Sequence, residues 1–306
     1  MKIIDKVKWR INFLRSKLKA KKFSFYDFPS FLPSYVIEKH QRRLMNDILK
    51  NSNLFRVIEI KDKFLFVAEK FKFYYPKNLD YTEPIGQFID FIYPVFNHDL
   101  YPYVEKKLLA NKWLAREGSY EEGGVKIDNG DIVIDAGAFI GLFSIFAGKR
   151  VGKVGKVFAF EPDERSRGIL SENIKLNNLE NVEIFSYALG EFCTNLKFFV
   201  SSQHPASSGG IFLKGKEKIV PQITLDDFVK KYDIKRIDFI KADIEGMERN
   251  LLKGAEDVIK KFKPKIAICT YHLIEDEEIL AGIIKSFVPQ YKILKKNKKL
   301  YAWIEK

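Results

Sequence analysis

The sequence has two cysteines in 306 residues, Cys193 and Cys269. They stand far apart in apolar surroundings, with no CxxC and no Cys/His cluster. That excludes a disulfide framework and marks no metal site, so no metal is expected. A reducing, cytoplasmic compartment is the simplest reading. No apolar run is long enough to cross a bilayer. Lysine and arginine interrupt the N-terminal stretch where a signal peptide would have its apolar core. Internal repeats and low-complexity linkers are missing as well. Acidic residues are in deficit: 40 Asp and Glu against 53 Lys and Arg leave a formal net charge of +13. That excess fits nucleic acid, an anionic membrane surface or an anionic substrate as partner, or a solvated lysine-rich surface. Hydrophobic residues make up 46% of the chain, enough for a packed core. The length suits one and a half or two domains.

In residues 1–22, Ile3, Ile4, Val7, Ile11, Leu14 and Leu18 recur at helical spacing among lysines and arginines. This predicts a basic amphipathic helix. It could pack on the body of the protein or lie on the inner face of an anionic membrane. Residues 23–33 read as a loop and 34–51 as a second helix. Alternation over Leu54–Tyr75, broken at Lys61-Asp62-Lys63, predicts a hairpin followed by a further strand. The aromatic stretch 81–114 reads as mostly helical, with its aromatics in a core. Residues 1–115 therefore form an expected small α/β accessory domain, and 116–306 the main domain.

From Asp131 onward strands and helices alternate. Strands are expected near 131–135, 156–161, 182–187, 237–243, 265–270, 290–294 and 300–304, with a strand pair at 195–200 and 217–223. Helices are expected near 141–149, 163–177, 224–232, 247–261 and 275–287. Such alternation predicts an α/β fold with a mainly parallel sheet and helices on both faces. The last two strands have no helix between them, so they should pair antiparallel.

The chain is organised around Asp131–Gly141, DIVIDAGAFIG. A β-branched run leads to Asp135, then Gly137 and Gly141 allow a sharp turn and close approach to a ligand, and an apolar helix begins at Leu142. A dinucleotide site wants G-x-G-x-x-G facing a pyrophosphate, and this turn is one glycine short. Asp135 would repel a pyrophosphate but attract the amino group and sulfonium of S-adenosylmethionine. At the end of the next strand, Glu161 can accept hydrogen bonds from both hydroxyls of a ribose.

Asp243 ends the strand expected at 237–243, and Glu245 and Gly246 follow it. If the strand continued, Asp243 and Glu245 would point to one side and could orient a substrate hydroxyl or take its proton. Glu245 and Glu248 could instead serve as helix N-terminal charges. His272 follows the next strand and is placed as a general base. A structural His272 bonded to Glu275 or Asp276 is the alternative. His204 could reach over the site from a loop, or be solvated there. His40 and His98 read as structural. Asn173, Asn177 and Asn178 read as helix-end residues. Thr224 reads as an N-cap with Asp226 and Asp227 in the first turn.

The order of these motifs resembles the FkbM family of S-adenosylmethionine-dependent methyltransferases over roughly 118–306. It is carried by D135AGAFIG141, F160EPD163, N173-x-x-x-N177, T224LDD227, K241ADIEGME248 and Y271H272. The resemblance implies a Rossmann-like class I fold with a seven-stranded sheet, and O-methylation of a hydroxyl on a sugar, glycan or natural-product-like acceptor. By position, Asp135, Gly137 and Gly141 would hold the methionine part of the donor, with Ala138 and Phe139 in the same binding turn. Glu161, next to Pro162, would hold the ribose, and Tyr187 and Ala188 would border the adenine. Asp243, also within reach of the cofactor, would face the substrate side with Glu245. Read from the residues themselves, His272 is the expected base, with Asp243 or Glu245 orienting it. Phe139 stands where asparagine is common in the family. Three rivals remain: a nucleic-acid methyltransferase, a non-catalytic membrane-associated scaffold and a nicotinamide dehydrogenase. Against the first, the chain lacks an Asn/Asp-Pro-Pro-aromatic motif and a Pro-Cys nucleophile.

Overall fold

Ile132, Val133 and Ile134 open β4 (Ile132–Ala136), and the strand's last four residues are buried. The computed structural model describes residues 56–68, 71–76, 119–200 and 216–305. The expectations for 1–55, for 77–118 and for the His204 loop fall outside them, as do His40 and His98. On either side of β4 lie β5 (Lys156–Phe160) and β10 (Phe239–Ala242), both parallel to it. The full order is β12-β13-β11-β10-β4-β5-β6, with β6 at Val182–Phe185, β11 at Lys265–Cys269, β12 at Lys292–Lys296 and β13 at Lys299–Trp303. β13 runs antiparallel to both β11 and β12. This is the seven-stranded, mainly parallel sheet expected, with its antiparallel tail.

Alternation along each strand divides the core between two faces. Ile134 and Ile240 join a cluster with Leu225, Phe228, Leu251, Ile259 and Leu280. These come from α3 (Leu225–Lys231), α4 (Glu248–Lys253), α5 (Glu256–Phe262) and α6 (Asp276–Phe287). Phe239, one residue from Ile240, meets Phe143 of α1 (Leu142–Val151) with ring centroids 6.2 Å apart. So helices cover both faces.

Among the described residues, two smaller sheets accompany the large one. β8 (Thr194–Val200) pairs antiparallel with β9 (Lys216–Ile223), as expected, and the short β7 (Ala188–Leu189) runs parallel to β9. β1 (Arg56–Ile60), β2 (Lys63–Ala68) and β3 (Phe71–Pro76) form the expected antiparallel meander. Asn173 and Asn177, read from sequence as helix-end residues, fasten this meander to α2 (Glu164–Leu176). Asn173 Oδ1 accepts from Tyr74 N at 2.6 Å, and its Nδ2 donates to Tyr74 O and Ile140 O. Asn177 exchanges the same pair of bonds with Lys72. Each amide thus supplies the donor and acceptor that a neighbouring strand would. By contacts the chain divides into two compact units, 1–53 with 98–115, and 54–97 with 116–306. The first lies outside the described residues.

The single helix expected over 247–261 is two helices. The two are separated at Ala255, with φ -121°, and Gly254 leaves Gly190 O the room that a Cβ, 2.0 Å away, would fill. Gly254 O also accepts from Asp226 N at 3.0 Å. Thr224 caps α3 as expected, accepting from Asp227 N at 2.9 Å. Asp226 does something else: its carboxylate accepts from Asp257 N and Val258 N and so caps α5. Cys269 is buried as expected, but Cys193 is exposed, with Sγ 3.0 Å from Asp227 Oδ2. No described helix is long and apolar enough to cross a membrane.

Candidate functional site

The turn after β4 is built by backbone. Gly137 has φ 76° and Gly141 φ 92°, values that glycine adopts without cost. At Gly137 a Cβ would lie 1.9 Å from Asp243 O, so the end of β10 passes against the turn. Gly137 N and Ala138 N donate to Phe160 O, tying the turn to β5. Phe139 adopts φ 50°, the left-handed region where asparagine is better tolerated than phenylalanine. In that conformation Phe139 N donates to Glu161 Oε2 at 2.8 Å.

Glu161 is held on its other oxygen too, where Asp163 N donates to Oε1 at 2.8 Å. The side chain is almost wholly buried, and burial pushes its carboxyl up to about 8, against the two amides and Lys241, which favour the charged form. Arg167 clamps the same corner by donating to Glu161 O and Pro162 O. Tyr187 and Ala188 follow β6. Tyr187 is half-buried with its hydroxyl 3.1 Å from Lys231 Nζ, and Ala188 is buried. Glu161, Phe139 and the glycine turn are therefore brought together as the sequence suggests.

Asp135 is placed differently. It is fully buried, and both its oxygens face protein groups. Ser144 Oγ donates to Oδ2 at 2.5 Å, and Lys241 Nζ lies 3.0 Å from Oδ1. The same ammonium donates to Gly137 O at 2.7 Å. Burial alone would drag the Lys241 pKa down, but the Asp135 and Asp243 charges overcome it and raise it. So the carboxylate read as an attractor for the donor's positive groups is already paired with an internal cation. Lys241 was the missed partner: β10 brings it beside Asp135 in register.

At the ends of β10 and β11, the expected trio meets. The strand does not continue through Glu245, as supposed. It ends at Ala242, and Glu245 (φ 54°) and Gly246 (φ 94°) make a tight turn. That turn still brings Glu245 Oε2 to 3.6 Å from His272 Nε2, the same separation as Asp243 Oδ1. His272 does not bond Glu275 or Asp276. Its Nδ1 faces Glu248 Oε1 at 2.9 Å, while Asp276 pairs with Arg249. Glu248 sits in the first turn of α4, as one reading had it, but is fully buried and also accepts from Ile244 N.

Burial lowers the His272 pKa, but Glu248, Asp243 and Glu245 together raise it to about 9. At neutral pH the imidazole therefore holds a proton, the wrong state for the base the sequence proposed. Asp243 is held below the usual carboxylate range: burial opposes ionisation, and Lys241, His272, Lys299 and a Tyr120 hydrogen bond outweigh it. Tyr120 Oη donates to Asp243 Oδ2 at 2.8 Å and Tyr271 Oη to Oδ1 at 3.2 Å. Tyr120 and the buried Lys299 were missed, because neither stands in a motif.

A family model described as "Methyltransferase FkbM domain" matches residues 135–299. Methyltransferase 1 of Beauveria bassiana is 26% identical over 148 residues, 41% of this chain and 58% of that protein. Methyltransferase sdnD of Sordaria araneosa is 29% identical over 157 residues, 41% of this chain and 60% of that one. The chain thus spans about three fifths of the length of these curated relatives. The crystal structure of methyltransferase FkbM from Methylobacillus flagellatus is similar at 22% identity, with 72% of this chain and 58% of that chain covered and a TM-score of 0.49.

Proposed function

This chain belongs to the FkbM methyltransferase family, and we propose that it transfers a methyl group from S-adenosylmethionine to a hydroxyl of a sugar, glycan or natural-product-like acceptor. The observation that carries the donor reading is Glu161. Two backbone amides hold its carboxyl at a strand end, beside a turn kept open by Gly137 and Gly141. A ribose diol is the ligand such a carboxyl pairs with. The methionine part lies along the turn, with Tyr187 and Ala188 bordering the adenine.

The acceptor enters at the ends of β10 and β11. Its oxygen attacks the sulfonium methyl in line, so one C–S bond breaks as one C–O bond forms and the hydroxyl proton leaves. The protein's part is mainly alignment, with Asp243 and Glu245 as the carboxylates that orient the hydroxyl and draw off its proton. Asp243 is itself fixed by Tyr120 and Tyr271. We place the enzyme in the cytoplasm, with residues 1–22 able to touch an anionic membrane. Liposome flotation that is equal with and without residues 1–22 would remove that contact.

A thermal shift with S-adenosylmethionine, S-adenosylhomocysteine and NAD in parallel tests the donor. At a hundred times its dissociation constant a ligand stabilises by about 2.7 kcal/mol. Shifts with both adenosyl ligands and none with NAD are expected. No shift with either adenosyl ligand would refute the reading. Labelled methyl transfer to sugar and glycan panels, with tRNA alongside, tests the acceptor. Label on the tRNA alone would move the assignment to nucleic acid.

A further inference from the structure

β3 is an outer strand of its three-stranded sheet. Alternate residues of such a strand turn their N–H and C=O away from the paired neighbour. Lys72 and Tyr74 stand two residues apart on β3, and their N–H and C=O groups meet the side-chain amides of Asn177 and Asn173. Four residues of helix rise about 6 Å and two residues of strand about 6.6 Å, so the two spacings match.

Asn173 does one thing more. Its Nδ2 carries two hydrogens, and both are used, one on Tyr74 O at 3.2 Å and one on Ile140 O at 2.8 Å. Ile140 belongs to the glycine turn and is buried. Gly141, next to it, is left-handed at φ 92°, and the α1 ladder starts from Gly141 O, which accepts from Ile145 N at 2.8 Å. Ile140 O thus stands outside the helix and needs a donor from elsewhere, because a buried carbonyl left unpaired is destabilising. Leu170 lies one turn before Asn173 on the same face of α2, and its Cδ1 would be 2.4 Å from a Cβ on Gly141. So α2 presses on the end of the turn with Leu170 and ties it with Asn173.

We infer that Asn173 is a positioning residue for the donor, holding the Gly137–Gly141 turn in its binding shape and taking its own orientation from β3. Tyr74 N donates to Oδ1 at 2.6 Å, which fixes the amide plane and aims Nδ2 at the turn. The turn has a strained member beside Ile140. Phe139 is left-handed at φ 50°, and in that state its N donates to Glu161 Oε2. A residue with a side chain stays left-handed only where its surroundings hold it there. Releasing Ile140 O would let Phe139 relax and slacken its hold on the Glu161 carboxyl. Resting on the donor reading above, that carboxyl is the one set for the ribose. Asn177 provides an internal comparison. It holds β3 by the same pair of bonds and donates to Asn173 O in its own helix, with no bond to the turn.

The test compares Asn173→Asp and Asn177→Ala with the parent chain, by calorimetric titration of S-adenosylhomocysteine and by hydrogen exchange. Asn173→Asp keeps the acceptor for Tyr74 N and loses the amide donor to Ile140 O. It should weaken binding roughly three- to tenfold, the worth of one hydrogen bond, and speed exchange at the Phe139 amide. Asn177→Ala should bind as the parent does, with exchange at Phe139 unchanged. Coupling is reciprocal, so in the parent chain S-adenosylhomocysteine should slow exchange at the Tyr74 amide more than at the Lys72 amide. Parent-like affinity in Asn173→Asp, equal weakening in both variants, or equal slowing at Tyr74 and Lys72 would overturn the role of Asn173. If Asn173→Asp does not fold, the exchange measurement on the parent chain decides. A parent chain that binds no S-adenosylhomocysteine would instead refute the donor reading, and Phe139 exchange in Asn173→Asp would still decide whether Asn173 holds the turn.

Discussion

Lys241 Nζ lies 3.0 Å from Asp135 Oδ1, with the ammonium 5% exposed and the carboxylate not at all. The pair joins β10 to β4 beneath the glycine turn, and the ammonium also holds the turn through Gly137 O. Breaking a buried pair by removing one partner costs about 3–5 kcal/mol, because the other charge stays buried and alone. Lys241→Met should therefore lower the melting midpoint by on the order of 10 °C. Asp135→Asn combined with Lys241→Met should recover part of the loss. A melt of Lys241→Met equal to that of the parent chain would show that the pair contributes nothing.

Glu161 gives a pH signature. Its carboxyl titrates near 8 in the folded chain against 4.5 ordinarily. A raised acid binds more protons folded than unfolded. Its contribution to stability is therefore whole below about pH 4.5 and is lost as pH rises through about 8. A ribose diol donates to the ionised form. Binding of S-adenosylhomocysteine should thus tighten from pH 6 to 8, by up to about tenfold per unit, then level off. Calorimetry should also show proton release on binding at pH 7. Glu161→Gln should bind more weakly and with no such slope. An affinity that is flat from pH 6 to 8 in the parent chain would contradict the assignment.

Asn173 carries three backbone bonds from a fully buried side chain. Asn173→Ala orphans Tyr74 N, Tyr74 O and Ile140 O. Each buried group left unmade costs about 1–3 kcal/mol. A clear fall in melting midpoint is expected, with faster hydrogen exchange at the Tyr74 amide. An unchanged exchange rate at Tyr74 would show that β3 does not depend on this amide.

Asp226 caps a helix other than its own, through Asp257 N and Val258 N. Asp226→Ala should cost about 0.5–2 kcal/mol. Asp227→Ala leaves the α5 cap intact, so hydrogen exchange at Val258 should rise in the first variant only. An equal rise in both would place the effect in α3.

The local rules read well where the answer depends on neighbours in sequence. The β-branched run of β4, the glycine turn, the Thr224 cap and the antiparallel tail are all of this kind. Periods of 2 and 3.6, together with turn chemistry, operate within a few residues. The family resemblance rests on the same short motifs, which is why the carboxyl at Glu161 and the cluster of Asp243, Glu245 and His272 could be named in advance. What tertiary structure decided is who faces whom. A continuous helical pattern over 247–261 is divided at Gly254 and Ala255, where Gly190 O lies against the chain. Asn173 binds a strand some hundred residues earlier rather than closing its own helix. Asp135 is neutralised by Lys241, and the pKa of His272, beyond β11, is raised by three carboxylates that follow the neighbouring strand β10. Charge and hydrogen-bond partners across a sheet are set by strand order, which local periodicity does not encode. The chain alone could therefore name candidate residues, but not Lys241, Tyr120 or Lys299, and only the folded sheet assigned their partners.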